Sequence, residues 1–194
     1  MWRITEEESF FLKKVPIKRE VTHPQKRLQH LAGRYLLTAL FPQFPLRQIE
    51  IADTRKPYLP DEAFHFSISH CRNFAAALVS KTERVGIDIE WPTEKVFAIA
   101  HKFLSEQEMS LLHQNRSTRQ LLDHTTLFWS TKEAIFKWHG SGQVDFKKHI
   151  RIHQHTGSEE EGAVSCSFQK ELPIPLTIHY RFLHGLALSW VTSN

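Results

Sequence analysis

Apolar positions recur at two different periods along this chain, and the period changes from segment to segment. Leu28, Leu31, Ala32, Tyr35, Leu36, Ala39 and Leu40 fall three and four apart, the mark of a helix with one buried stripe. Thr22 is placed to cap that helix, Gln25 to reach back, and Pro24 to sit in its first turn. Alternation takes over in Gln48 to Ala52 and in Phe64 to Ile68, and Ala75 to Val79 is a short apolar run suited to a covered strand. Val85 to Glu90 reads as another strand, stopped by Trp91-Pro92 because proline cannot donate to a ladder. Val96, Ile99, Ala100 and Phe103 mark a helix, and Ser105-Glu106-Gln107-Glu108 is a capping-box start for the next. A longer helix is predicted over 119–138, with Leu127, Thr131, Ala134, Ile135 and Trp138 on one face and Gly140 as its stop. Strands follow at 150–152, 164–168, 176–180 and 186–191, with 156–162 as a hairpin turn.

The order of these elements repeats weakly. A long helix, then Ile49-Glu50-Ile51, then Asn73 to Val79 is matched by a long helix, then Ile150-Arg151-Ile152, then His184 to Trp190. The expected fold is therefore α+β, two similar α/β halves in one chain related by a pseudo-twofold. Residues 1–84 form the first half and 85–194 the second, which carries the acids discussed below. A cleft between the halves is the natural ligand site. Such pairing within one chain removes the need for a dimer, so a monomer is expected.

Composition narrows the picture. With 194 residues and 41% hydrophobic content the chain can bury a core, which excludes disorder as the main state. A net charge of +4 suits partners bearing phosphates or carboxylates. Cys71 and Cys166 have neither metal-ligand nor disulfide spacing, pointing to a reducing, cytoplasmic setting. The acidic start and the lack of a long apolar run lead us to expect a soluble protein that is not exported and has no membrane partner.

Several groups carry chemistry. Asp88 and Glu90 are two apart on one strand, so their carboxylates share a face about 6.6 Å apart, a span that one hard cation can bridge. An acid pair at a strand end is more often solvated surface, but Asp88 lies between Ile87 and Ile89, and Gly86 permits close backbone approach. Ser130, Glu133 and Lys137 line one face of the long helix; by spacing alone, Glu133 and Lys137 equally suit a surface ion pair. Ser69-His70 ends a strand, yet neighbours in an extended chain point apart and there is no Gly-x-Ser-x-Gly elbow, which argues against a serine hydrolase. Arg27, His30 and Arg34 lie beside the first apolar stripe, and Arg55-Lys56-Pro57 adds basic groups in a turn. They suit either a solvated face or a multiply phosphorylated nucleotide. His149, His153 and His155 suggest a metal cluster only weakly, because thirteen histidines make chance spacing common.

Arg55-Lys56-Pro57, Phe66-Ser67-Ile68-Ser69-His70, Gly86-Ile87-Asp88-Ile89-Glu90, Phe103-Leu104-Ser105-Glu106-Gln107-Glu108 and Trp129-Ser130-Thr131-Lys132-Glu133-Ala134 with Lys137 together resemble the ordered motifs of 4′-phosphopantetheinyl transferases, of the surfactin-synthetase-activating type. The resemblance implies two α/β halves with coenzyme A in the cleft. It implies metal ligands at Asp88, Glu90 and Glu133, holding magnesium (Mg2+), although the same oxygen ligands accept manganese (Mn2+). Lys56, Ser69 and His70 would touch the coenzyme's phosphates, Lys137 the pyrophosphate, and Arg27 and Arg34 the 3′-phosphate. Glu133 would take the serine proton, with His70 behind it, and Lys137 would serve the leaving phosphate. The implied reaction moves the phosphopantetheine group from coenzyme A to a serine of an acyl or peptidyl carrier protein and releases 3′,5′-ADP.

Two rivals remain from other classes. A coenzyme A binding module without turnover would not need the intact set of Asp88, Glu90, Glu133 and Lys137. A nucleic-acid-binding protein would need an interleaved basic and aromatic motif that the sequence lacks, so no nucleic-acid partner is expected.

Overall fold

The computed structural model describes residues 1–16, 21–113 and 117–193. The chain opens with strand β1 (Trp2–Arg3), a short helix α1 (Glu8–Leu12) and helix α2 (Pro24–Leu40). Strands β2 (Glu50–Ile51), β3 (Pro57–Tyr58), β4 (His65–Cys71), β5 (Phe74–Ser80) and β6 (Arg84–Glu90) follow. Helices α3 (Glu94–Ala98), α4 (Ala100–Phe103), α5 (Glu106–Leu112), α6 (Thr118–His139) and α7 (Phe146–His149) come next. The chain then runs through β7 (Ile150–Gly157), β8 (Glu161–Phe168), β9 (Ile174–Leu183) and β10 (Leu186–Ser193).

In α2 the predicted apolar stripe buries Leu31, Ala32 and Leu36 in a core shared with β4 and β5. Its cap is His23 rather than Thr22: the ring Nδ1 accepts from Lys26 N at 3.5 Å. Pro24 fixes the first helical φ, so the cap falls on the residue before it. The expected strand at 48–52 shrinks to two residues, because Leu46–Gln48 forms a 3-10 turn and Pro57 in the facing strand cannot extend the ladder. The helix expected through 96–103 breaks in two at Ile99, whose ψ of 5° leaves the helical region. The Ser105–Glu108 capping box and the left-handed Gly140 stop, at φ 76°, are both present.

Two antiparallel sheets carry the molecule: a three-stranded one in the order β1-β5-β4 and a five-stranded one in the order β6-β10-β9-β8-β7. Helix α6 lies across β6 and β10, and its Leu127, Ile135 and Trp138 share the larger core with Val191 of β10 and with Ile150, Val164 and Ile178 of β7, β8 and β9. Gly86 makes that approach possible. A Cβ there would stand 2.0 Å from the Ala134 carbonyl oxygen and 2.8 Å from Trp138 N.

The sheets meet edge to edge where β4 runs beside β6, and side chains make the seam. Ile87 N donates to Ser67 Oγ at 3.1 Å and Ile89 N to Ser69 Oγ at 3.2 Å. The β4–β5 and β9–β10 hairpin tips also meet. Each has a left-handed first turn residue, Arg72 and His184, both at φ 52°, and the Phe74 ring stacks on His184 at 5.6 Å. Both cysteines are free, and no described helix is long and apolar enough to cross a membrane.

Candidate active site

The seam between the sheets places a buried acid at the foot of a cleft. Asp88, on the β6 face turned toward α6, is 3% exposed. Its Oδ1 accepts from Ser69 Oγ at 2.8 Å and from Lys137 Nζ at 2.7 Å, and Lys137 Nζ also reaches Ser69 Oγ at 2.9 Å. Ser69 thus ties a β6 amide, the Asp88 carboxylate and the α6 ammonium together from the neighbouring sheet.

Two further acids crowd this triangle. Burial, and after it the Asp88 charge, pushes the Glu90 carboxyl up to about 7 and the Glu133 carboxyl up to about 7. Trp129 Nε1 donates to Glu90 Oε1 at 3.4 Å, and the Trp129 ring is braced edge-on by Phe103 at 4.9 Å. His70, next along β4, has its pKa lowered by burial and, to a lesser degree, by the Lys137 charge.

A hard dication fits this donor set. Three carboxylates in a half-buried pocket repel one another, Asp88 Oδ2 is buried without a partner among the described residues, and oxygen is the ligand magnesium takes. Among the described residues no group of three or more His, Cys, Asp or Glu side chains stands close enough together to hold a metal ion, so the three acids would have to draw together around one. Lys137, 2.7 Å from Oδ1, supplies positive charge at the same spot.

Beside the acids the cleft opens into a cavity of about 300 Å³ lined by His30, Arg34, Arg55, Pro57, Ile68 and His70. Arg34 Nη1 lies 3.0 Å from His30 Nδ1, and burial lowers the guanidinium's pKa to about 10. A second recess of about 210 Å³, more apolar, is reached past Lys56, Ser67, Phe136 and Lys137. Burial, and next the Arg84 charge, lowers the Lys56 pKa.

With a dication among the acids and Lys137 beside them, this constellation could neutralise a diphosphate, and the basic cavity could seat a nucleotide; comparison with known proteins gives the family of the chain. Residues 84–189 match the family model described as the 4′-phosphopantetheinyl transferase superfamily. The chain belongs to that superfamily. Residues 16–80 match the 4′-phosphopantetheinyl transferase N-terminal domain.

Among individual superfamily members, the chain is similar to a provisionally named 4′-phosphopantetheinyl transferase of Haemophilus influenzae. The two are 30% identical over 167 residues, covering 79% of this chain and 68% of that protein. Similarity to the transferase AcpT of Escherichia coli K12 is 29% over 178 residues, 84% of each chain. Enterobactin synthase component D of Salmonella typhi is 33% identical over 116 residues, 58% of this chain but 48% of its own length. The match thus spans about half of that relative.

Along the cleft, most residues expected from the sequence come together: Ser69, Asp88 and Lys137 by hydrogen bonds, Glu90 and Glu133 by charge, and His70, Arg34 and Lys56 along the walls. Arg27 does not join them. It pairs with Glu8 of α1 at 2.8 Å and lines none of the cleft cavities described here. His149, His153 and His155 are likewise held apart by separate partners, the amide of Asp145, Ser167 and Tyr180. Ser67, which sequence reading did not assign a role, stitches the seam; its signal was the Ser-x-Ser alternation with Ser69.

Proposed function

We propose that the chain transfers the 4′-phosphopantetheine group of coenzyme A to a serine of an apo acyl or peptidyl carrier protein, with Asp88, Glu90 and Glu133 holding a magnesium ion. The observation that carries this reading is the buried Asp88, bound by Ser69 and Lys137, between two acids of raised pKa and beside a basic cavity. The names of similar proteins, transferases of H. influenzae and E. coli, support it. The finer assignment to the surfactin-synthetase-activating type rests on the order and spacing of the five sequence motifs between residues 55 and 137.

Each protein group has a task in this reading. Arg34 and Lys56 bind the coenzyme's phosphates, and Ser69 and His70 orient the pyrophosphate. Glu133, or His70 behind it, takes the proton of the carrier serine. The serine oxygen forms its bond to the phosphorus nearer pantetheine as the bond to the other phosphate oxygen breaks, and 3′,5′-ADP leaves. Lys137 balances charge on that leaving group. A bound dication would supply further neutralisation of the pyrophosphate.

The reading takes the chain as a cytoplasmic monomer of two halves dividing near residue 84. The facing hairpin tips and the pairing of α2 with β4–β5 and of α6 with β6–β10 support a pseudo-twofold. The deciding experiment is mass spectrometry of apo carrier proteins incubated with the chain, coenzyme A and magnesium. The expected result is a phosphopantetheine-sized gain that disappears with chelator and with Asp88→Ala. Tight coenzyme A binding with no gain on any carrier would reduce the protein to a binding module.

A further inference from the structure

The turn between β4 and β5 touches two segments that border the candidate site, and it continues a third. Arg72, its first residue, follows His70 by two positions. The Arg72 carbonyl oxygen accepts from Gln29 Nε2 at 2.6 Å, and Gln29, 7% exposed, precedes His30 of the basic cavity on α2. The Arg72 guanidinium lies over the Trp91 ring, 3.7 Å from its centroid, and Trp91 directly follows Glu90 at the end of β6. The same ring is backed by the β9–β10 tip, where a Cβ on Gly185 would stand 3.0 Å from Trp91 Cη2. One residue therefore joins the α2 wall, the β4 end that carries His70, and the β6 end that carries Glu90.

The backbone shows which part of Arg72 makes each link. Its φ of 52° is left-handed, a conformation that glycine takes freely and a side chain does not. Glycine at this position would keep the Gln29 bond, which uses the carbonyl, and would lose the Trp91 contact, which uses the side chain. That contact suits arginine in particular, because a planar guanidinium stacks on an indole face as an ammonium does not. It also crosses the seam: Arg72 belongs to the three-stranded sheet and Trp91 follows a strand of the five-stranded one.

Resting on the reading above, we propose that Arg72 is a positioning residue for transfer. Stacked on Trp91 and anchored through Gln29, it is a strut that holds the Glu90 end of β6 at a fixed distance from the basic wall. All residues lining the basic cavity come from the first 70 positions, whereas Asp88, Glu90 and Glu133 follow the seam. A coenzyme seated in the cavity meets the acids correctly only while the two walls keep their spacing. The strut works at one end of the seam, beside the Ile89–Ser69 bond rather than the Ile87–Ser67 bond.

The test compares wild type with Arg72→Gly, Arg72→Lys, Trp91→Leu and the Arg72→Gly/Trp91→Leu double variant. Hydrogen exchange reads the seam, calorimetry without a dication reads coenzyme A affinity, and carrier labelling reads kcat. In Arg72→Gly the Ile89 amide should exchange about two to five times faster, the equivalent of one exposed cation–π contact, with Ile87 unchanged. Relief of the left-handed strain offsets the lost stacking, so Tm should move by less than about 3 °C. The kcat should fall at least about threefold through misplaced acids, with coenzyme A affinity unchanged. Arg72→Lys keeps the charge without the stacked plane and should resemble Arg72→Gly; wild-type behaviour there would overturn the strut in favour of charge alone. The double variant should match Trp91→Leu, whereas additive losses would show that Arg72 acts elsewhere and would also overturn it. Faster exchange at Ile87 and Ile89 together would mark general loosening and count against the proposal in the same way. Absence of transfer by wild type would remove the functional reading, and the role in transfer with it, while exchange at Ile89 would still show whether the strut holds the seam.

Discussion

Lys132 shows how much one side chain can organise here without touching the cleft. It is 0% exposed, and its ammonium reaches Glu108 Oε1 at 2.8 Å and the carbonyls of Phe146 and Ile150 at 2.9 and 2.8 Å. Glu108 in turn accepts from Ser105 N and Ile152 N, so the pair knits α5, α6, α7 and β7. Burial pulls the lysine's pKa down and the Glu108 charge holds it up. Removing one partner of such a pair leaves the other charge buried, so Lys132→Met should cost about 3–5 kcal/mol in urea unfolding. Lys132→Met with Glu108→Gln should recover part of that loss, because no carboxylate then stays unpaired. The sequence made the Ser105–Glu108 cap legible, since capping is local. It did not show that the same glutamate answers a lysine 24 positions on, because that contact exists only once the helices pack.

At the scale of elements, the long helix and its stop could be read almost to the residue: 119–138 was expected and Thr118–His139 is found. Period and a glycine stop suffice for that. What approaches Gly86 could not be read, only that something would. It is α6 itself, and the fit leaves no room for a methyl group. Gly86→Ala must push the helix off β6, and with it Glu133 and Lys137, which the same helix carries. We expect a stability loss of about 1–3 kcal/mol from overpacking and a fall in transfer of at least about tenfold, since misplacing reacting groups by about 1 Å is costly. Coenzyme A binding should weaken less, because Arg34 sits on α2. Calorimetry and carrier-labelling kinetics on one preparation check all three effects. The broken helix at Ile99 and the shrunken strand near residue 50 escaped the reading for a common reason. Periodicity registers burial, and both segments are half-buried connections whose geometry is set by their neighbours.

For the whole molecule, the decisive feature is a seam that no periodicity announces. β4 and β6 belong to different sheets, and two serine hydroxyls join them. An echo of helix and strand order suggested two halves; it carried no information on how they are fastened, because hydroxyl-to-amide bonds between halves leave no spacing pattern in either. The fastening can be separated from the chemistry by comparing two substitutions. Ser67→Ala strands the Ile87 amide, which should cost about 1–3 kcal/mol and speed hydrogen exchange at that amide, while Asp88 and Lys137 keep their bonds. Ser69→Ala should cost a similar amount through Ile89 and should also release Lys137 and Asp88 Oδ1 from their shared partner. Transfer by Ser67→Ala should therefore stay within about threefold of wild type at a temperature well below its Tm, with Ser69→Ala at least about tenfold lower. Equal losses of turnover in both would mean that catalysis depends on the closure of the seam as a unit, and that Ser69 acts as a fastener rather than as a partner of the site.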